Sequence, residues 1–374
     1  MKIGVTTFYC DFNYGAVLQA TALLQALLQR GYDARIIHSS PPIKDKIFRS
    51  WKRPSTFVRN ILLLPNYKSM LRRVERTREF LERYQRYTEH FSGHADLLRR
   101  WPEMDAYITG SDQVWNVEQG VDPVFFLKPA DPLRARLISY AASFGRASIP
   151  VEREEEVASA LRRFHNISVR EESGRGIVES LLGRAPEVVC DPVFLHDAAH
   201  YESWFRTRPG VPPEYIFVYA IRKNEDLEKT VSEAKKHYGL PVVQLLSGLS
   251  HRAVRSCDMQ IHDAGPAEFL SLLRNSKCVC TNSFHGSAFS LVFRKPFLVT
   301  AALLGRNTRI ENLMSIFGET RRVSGVKTDF TPQFWESVDS VPSNRWEELH
   351  NDFKAKGFAY LDGALEKFSK GADE

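Results

Sequence analysis

A histidine set just after a short strand and at the start of a helix can hold an anion and move a proton. Residues 276–297, SKCVCTNSFHGSAFSLVFRKPF, put His285 in such a place. Lys277 to Cys280 is a short apolar run of the length of a buried strand. Thr281, Asn282 and Ser283 then supply turn and N-cap side chains, and Phe284, Ala288, Leu291 and Val292 recur at helical spacing. In the first turn of a helix several backbone N–H groups lack partners and the dipole is positive, so the polar cluster Asn282, Ser283 and Gly286 forms an anion cradle. His285 adds a side chain able to donate a hydrogen bond or a proton. The same stretch also reads as a fold-stabilising strand–turn–helix whose histidine caps its own backbone.

The elements that must position this histidine follow a regular alternation. Residues 2–8 read as a strand; Asn13 and Gly15 lie in the turn after it, and a helical pattern from Ala16 to Leu27 closes at Gly31. With a strand at 34–38 this makes the β–loop–α–β start of a doubly wound domain, without the GxGxxG of a dinucleotide site. Further strands are expected at 105–109, 136–141, 167–169 and 187–189, and each runs into a polar cluster: GSDQVWN at 110–116, SFGR at 143–146, SVREES at 168–173 and Asp191 in CDPVFL. Residues 196–213, with Pro209, Gly210, Pro212 and Pro213, read as a linker. A second alternation follows, and 343–370 reads as mostly helical.

The expected fold class is therefore α/β, with two Rossmann-like doubly wound domains facing a cleft. The domains are 1–195 with a basic helical insertion at about 44–100, and 214–342, followed by a C-terminal helix within 343–374 that packs back on the first domain. Functional residues in open α/β sheets gather outside the carboxyl ends of the strands, where every cluster above lies. Two facing domains bring them to one cleft.

Composition narrows the function classes. The 43% hydrophobic content and mixed charge describe a globular protein. MKIGVTTFYC lacks the apolar core of a signal peptide, and no run approaches a membrane span. Five cysteines without CxxC spacing fit a reducing cytoplasm, and neither the histidines nor the carboxylates cluster at metal-ligand spacings. The net charge of +6 is uneven: residues 44–100 hold fifteen Lys/Arg against six Asp/Glu, or +9, which leaves the remainder near −3. That segment favours an anionic partner such as a membrane surface or an acceptor's diphosphate, or is a solvated helical face. It carries no nucleic-acid motif.

Taken together, GSDQVWN, SVREES, CDPVF and TNSFHGSAFSLVFRKPF resemble the polysaccharide pyruvyl transferase family, in order and spacing along most of the chain. The resemblance implies a two-domain fold like the GT-B glycosyltransferases. It also implies transfer of the enolpyruvyl unit of phosphoenolpyruvate, a co-substrate needing no further cofactor, to a saccharide acceptor as a pyruvate ketal. By that resemblance His285 stands at the phosphoenolpyruvate and Arg170 belongs to the same site. Some members carry arginine two positions before the histidine, where this chain has Ser283; Arg170, Arg294, Arg306 or Arg309 could supply that charge.

The chemistry requires a general acid near neutrality and planar cations for a carboxylate and a phosphate. His285 is the candidate acid, with Asp112 and Asp191 as carboxylate alternatives that equally suit turn formation. Arg170 and Arg309 also suit surface ion pairs. Trp115 suits either a sugar ring or a buried core, and Asn116, Ser168, Asn13 and Gly15 complete the expected binding set. The rival readings are a GT-B glycosyltransferase using a nucleotide-sugar and a non-enzymatic basic protein of a membrane surface or nucleic acid.

Overall fold

The computed structural model describes residues 1–10, 13–39, 67–246, 253–300 and 308–369. Two parallel sheets carry the architecture. The first has the order β3-β2-β1-β4-β5, from β1 (Lys2–Thr6), β2 (Asp33–His38), β3 (Tyr87–His90), β4 (Ala106–Thr109) and β5 (Arg136–Ser139). Its β5 edge continues through isolated bridges, Ile138 to Asn166 and Ala142 to Val169, into the short pair β6 (Ser168–Val169) and β7 (Glu187–Val188). The second sheet has the order β10-β9-β8-β11-β12-β13. Its strands are β8 (Ile216–Tyr219), β9 (Val242–Leu245), β10 (Met259–Ile261), β11 (Cys278–Thr281), β12 (Phe297–Thr300) and β13 (Val323–Ser324).

The strand sequences explain why both sheets are parallel and covered. AYIT, IFVY, VVQL, CVCT and FLVT are buried at every position, the near-continuous pattern of strands with helices on both faces. In both sheets the order reverses direction beside the first-formed strand, and a crevice opens there at the carboxyl ends.

The helix Tyr14–Gln29 is apolar almost all round, and thirteen of its sixteen residues are buried. Such a helix needs cover on every side. It receives the first sheet on one side and the second unit on the other. Tyr14 stacks on Phe269 at 5.3 Å between centroids and donates its hydroxyl to the Ala264 carbonyl. One apolar cluster consequently runs from Ile3 and Val5 through Leu23 to Phe217 and Val279, so the two sheets share a core.

Two further connections tie the halves. The helix Ser343–Ser369 returns to the first sheet, where the Tyr360 hydroxyl donates to the Ser139 carbonyl at 2.9 Å and Arg30 meets Asp362 at 2.6 Å. The helix Tyr67–Tyr84 belongs to the basic stretch; the part of that stretch before residue 67 lies outside the described residues. Its arginines turn toward the second unit: Arg72 and Arg76 stand 3.1 and 3.4 Å from Asp263, which Arg208 also reaches at 2.6 Å. Glu268 takes Arg76 at 3.3 Å and Arg206 at 3.4 Å. Much of this helix's basicity is thus matched by carboxylates within the chain. Among the described residues no helix is long and apolar enough to cross a membrane.

Candidate active site

The turn from β11 into the helix Phe284–Val292 is built around His285. Ser283 is the N-cap and accepts from Gly286 N at 3.3 Å, while Thr281 Oγ1 accepts from Ser283 N at 3.1 Å. Glycine is required on both sides of the imidazole. A Cβ at Gly286 would lie 2.3 Å from Thr281 Oγ1, and one at Gly15 would lie 2.2 Å from His285 Nδ1. The first turn of the Tyr14–Gln29 helix therefore presses directly on the ring, and Asn13 caps that helix by accepting from Gly15 N.

On its other edge His285 faces Asp191. Nε2 stands 3.5 Å from Asp191 Oδ2, at the distance of an ion pair and outside hydrogen-bond geometry. Asp191 is buried and heavily engaged. Oδ1 accepts from Val193 N at 3.1 Å, and Oδ2 accepts from Arg170 Nη1 at 2.6 Å and Ser111 Oγ at 2.9 Å. Burial alone would raise its pKa, but His285 and Arg170 outweigh it and hold the carboxyl well below the usual range. A carboxylate so fixed cannot serve as a proton donor. The sequence expectation of Asp191 as an acid is corrected: it holds its neighbours in place.

Arg170 leaves the end of β6 and lies under the ring of Phe284, with its guanidinium carbon 4.4 Å from the centroid. Burial works against its charge, but Asp191, Glu171 and Asp112 prevail and raise its pKa. Only one edge is bonded. Nε stands 3.5 Å from Glu171 and Nη2 stands 3.9 Å from Asp112, and neither has a hydrogen-bond acceptor among the described residues. Glu171 is itself oriented by Ser143 Oγ, which donates to Oε1 at 2.5 Å.

Arg309 approaches from the helix Thr308–Ile316 of the second unit. Its Nη1 is also 3.9 Å from Asp112 Oδ1, and Gln113, with its amide oxygen turned inward, accepts from that nitrogen at 3.2 Å. Burial and the nearby Arg170 disfavour its charge, more than the carboxylates restore it. Asp112 sits at φ 76°, a left-handed conformation that aspartate tolerates better than most residues, and its Oδ1 accepts from the following N–H of Gln113. Of these groups Asp112, Gln113, His285 and Arg309 line a cleft of about 820 Å³ between the two units, with Asn13, Asn116, Ser283 and Phe284, while Arg170, Glu171 and Asp191 are buried behind it.

Three sequence expectations move elsewhere. Trp115 is fully buried, stacked on Phe126 at 5.6 Å and donating to the Phe125 carbonyl, so it is core and offers no face to a sugar. Ser168 is fully buried and bonds strand backbone, donating to Ser139 O and accepting from Ala141 N. Asn282 uses both ends of its amide on the loop after β8, accepting from Ile221 N and donating to Arg222 O. Arg306 lies outside the described residues, and Arg294 pairs with Glu347 at 2.8 Å, away from the cleft residues. Sequence reading missed Ser111, Glu171 and Gln113 as members of the cluster. Each sits inside a motif already singled out, next to a residue that was chosen, and only the turn geometry shows which way its side chain points.

The family model described as polysaccharide pyruvyl transferase matches residues 13–301. No curated protein sequence matches the chain. Among solved structures, an S. aureus MnaA–UDP co-structure is similar at TM-score 0.53 and 14% identity, covering 95% of this chain and 96% of that one. A glycotransferase of kitacinnamycin reaches TM-score 0.48 at 13% identity over 98% of both chains. Spinosyn rhamnosyltransferase SpnG reaches 0.46 at 12% identity over 95% of this chain and 96% of its own. At these identities the likeness concerns fold alone: two Rossmann-like units.

Proposed function

The chain belongs to the polysaccharide pyruvyl transferase family, and we propose that it moves the enolpyruvyl unit of phosphoenolpyruvate onto a saccharide as a pyruvate ketal, with release of phosphate. One observation carries this reading. Arg170 Nη2 from the first unit and Arg309 Nη1 from the second stand at the same 3.9 Å from one carboxylate oxygen, beside His285 at the helix start. An anionic oxygen entering between them would gain two charge-assisted donors, one of which, Arg170 Nη2, has no acceptor among the described residues. Phosphoenolpyruvate brings two anionic groups, and the open N–H groups of the Phe284–Val292 helix add a third source of donors.

In the reaction His285 gives a proton to the methylene carbon, which becomes the methyl group. The carbon bearing the phosphate then takes one acceptor hydroxyl, whose proton returns to a base at the site. Rupture of the carbon–oxygen bond to phosphate leaves a second cation, which the neighbouring hydroxyl captures with loss of its proton. Asp191 stays ionised throughout, holding Arg170 by a hydrogen bond and standing 3.5 Å from His285 Nε2. Neutralising the leaving phosphate falls to Arg309 and Arg170.

The test is a reaction in deuterated water with phosphoenolpyruvate and a competent saccharide. One deuterium is expected in each product methyl, with one phosphate released per ketal. A product whose pyruvyl carbon remains a methylene, or a sugar transferred with no pyruvyl group, overturns the proposal.

A further inference from the structure

The cleft is divided by charge, and the part away from His285 carries its own recognition chemistry. Phe8 follows β1 at the carboxyl end of the sheet and lines the cleft with its ring 38% exposed. It is held from behind: Phe125 meets it edge-on, with centroids 4.9 Å apart. A large apolar ring facing a cavity of mixed lining and braced from behind by Phe125 is a platform.

The wall beside it is polar and acidic. Asn116, Glu118, Gln119 and Asp122 all line the cleft in the loop after Trp115. The carboxylates of this wall are Glu118, which pairs with Arg146, and Asp122, which stands 3.5 Å from His94. No cation of the loop from Asn116 to Asp122 lines the cleft to meet a phosphate or carboxylate group. Hydroxyl groups, which donate to carboxylates and amide oxygens, are welcomed.

The cleft also continues. A second cavity of about 230 Å³ shares Phe8, Asp122 and Phe125 with the first and adds Thr6, Thr7 and Ser39 to its lining. The shared residues form a threshold, so a ligand seated on Phe8 has room on both sides of the ring.

We infer that Phe8 and the loop from Asn116 to Asp122 form the acceptor subsite, and that it takes an uncharged saccharide of at least two rings, one of them stacked on Phe8. The inference rests on the pyruvyl-transfer reading for what the acceptor is for, and on the cavity lining for what it is. The ring beyond Phe8 on the His285 side presents its hydroxyl pair to the anion site. The charged substrate is confined to the arginine end and the neutral one to the aromatic end, so neither competes for the other's place.

The test measures saccharide binding by saturation-transfer NMR on the full chain. The probes are uncharged disaccharides built from glucose, galactose, mannose, rhamnose and their N-acetylamino sugars, with glycosyl diphosphates as charged competitors. Transfer to at least one disaccharide is expected. Phe8→Ala weakens it by about tenfold or more, the scale of a lost hydrophobic contact of ~1.4 kcal/mol, and Phe8→Trp retains it. Because Phe8 is exposed, thermal unfolding of both variants stays at the wild-type temperature, and phosphoenolpyruvate affinity is unchanged. Failure of every disaccharide to bind, equal binding by Phe8→Ala, or displacement by the charged competitors at lower concentration than the neutral ones overturns the inference. Phe8-dependent saccharide binding in a protein that never consumes phosphoenolpyruvate would instead leave this subsite standing and remove the pyruvyl-transfer reading.

Discussion

Arginine–carboxylate clusters join the two halves of this chain in two places, and they are built to opposite ends. At Asp263 and Glu268 four arginines (Arg72, Arg76, Arg206 and Arg208) surround two carboxylates, with contacts from 2.6 to 3.4 Å. Glu268 additionally caps its own helix by accepting from Gly265 N at 3.0 Å. In the cleft two arginines share three carboxylates, yet Arg170 is bonded along one edge only and both guanidiniums stand 3.9 Å from Asp112. The first cluster is drawn together by short contacts, its unbonded atoms Arg208 Nε and Glu268 Oε1 belong to residues that do not line the cleft, and it acts as a clasp. The second keeps donors in reserve beneath a cavity. Ion-pair number says little about function; unspent hydrogen-bonding capacity next to a cavity says more.

Substitutions separate the two clusters. The largest effect is expected from His285→Ala: turnover falls by roughly a hundredfold or more, the scale of a lost general acid, while the thermal unfolding temperature holds. A folded variant with near-wild-type turnover would remove His285 from the chemistry. Asp191→Ala should lower both activity and stability, the latter by about 3–5 kcal/mol, because it strands the buried Arg170 charge; denaturant titration reads it. Arg170→Lys loses the planar fork, so phosphoenolpyruvate affinity falls nearly as far as in Arg170→Ala, measured by calorimetric titration. At the clasp Asp263→Asn should cost only about 1–2 kcal/mol, since Arg72 is half exposed, and should leave phosphoenolpyruvate affinity untouched. An affinity loss there would mean that the clasp and the site are one unit.

The smallest difference lies in acid. Both Asp191 and Asp263 are held below the ordinary carboxyl value: burial opposes this in each case, and is overcome by His285 and Arg170 at the first and by Arg208 and Arg72 at the second. A depressed folded-state value means that each carboxylate's stabilisation is present above the unfolded value near 3.9 and is lost as pH falls through the folded one. Below about pH 4 the unfolded chain binds protons that the folded chain refuses, so stability declines. Asp191→Asn should flatten that decline more than Asp263→Asn, in unfolding curves collected between roughly pH 2 and 5.

The alternation of strands and helices was legible because parallel strands with two covered faces write themselves as apolar runs, and because functional turns in such sheets follow those runs. The site was legible as motifs and less so as side chains. His285 reads plainly from TNSFHG, since strand, cap and helix are all local. Trp115 and Glu171 do not. In QVWN and REES neighbouring positions look equally exposed, and a single turn decides that Trp115 joins Phe126 and Phe144 in the core while Glu171 swings in to Ser143. Likewise Gly15 signals a close approach, but its neighbour, an imidazole 270 residues onward, is set by how the halves pack. The basic stretch shows the same dependence on packing: from residue 67 on, Arg72 and Arg76 meet Asp263 and Glu268, partners nearly two hundred residues away in sequence.

The return of the Ser343–Ser369 helix to the first sheet has a consequence for how the protein is made. Gly357 sits where an added Cβ would lie 2.5 Å from the Tyr140 hydroxyl, Cys190 Sγ donates to the Phe353 carbonyl at 3.3 Å, and Tyr360 reaches Ser139. Strand β5 and the loop holding Asp191 are thus completed by residues synthesised after the whole second unit. While the second unit is being synthesised, the first waits with an uncovered apolar groove beside Asp191. Translation order alone delays the appearance of an assembled site until residues 343–369 have been made, and a nascent fragment ending before residue 343 should be a client for chaperones.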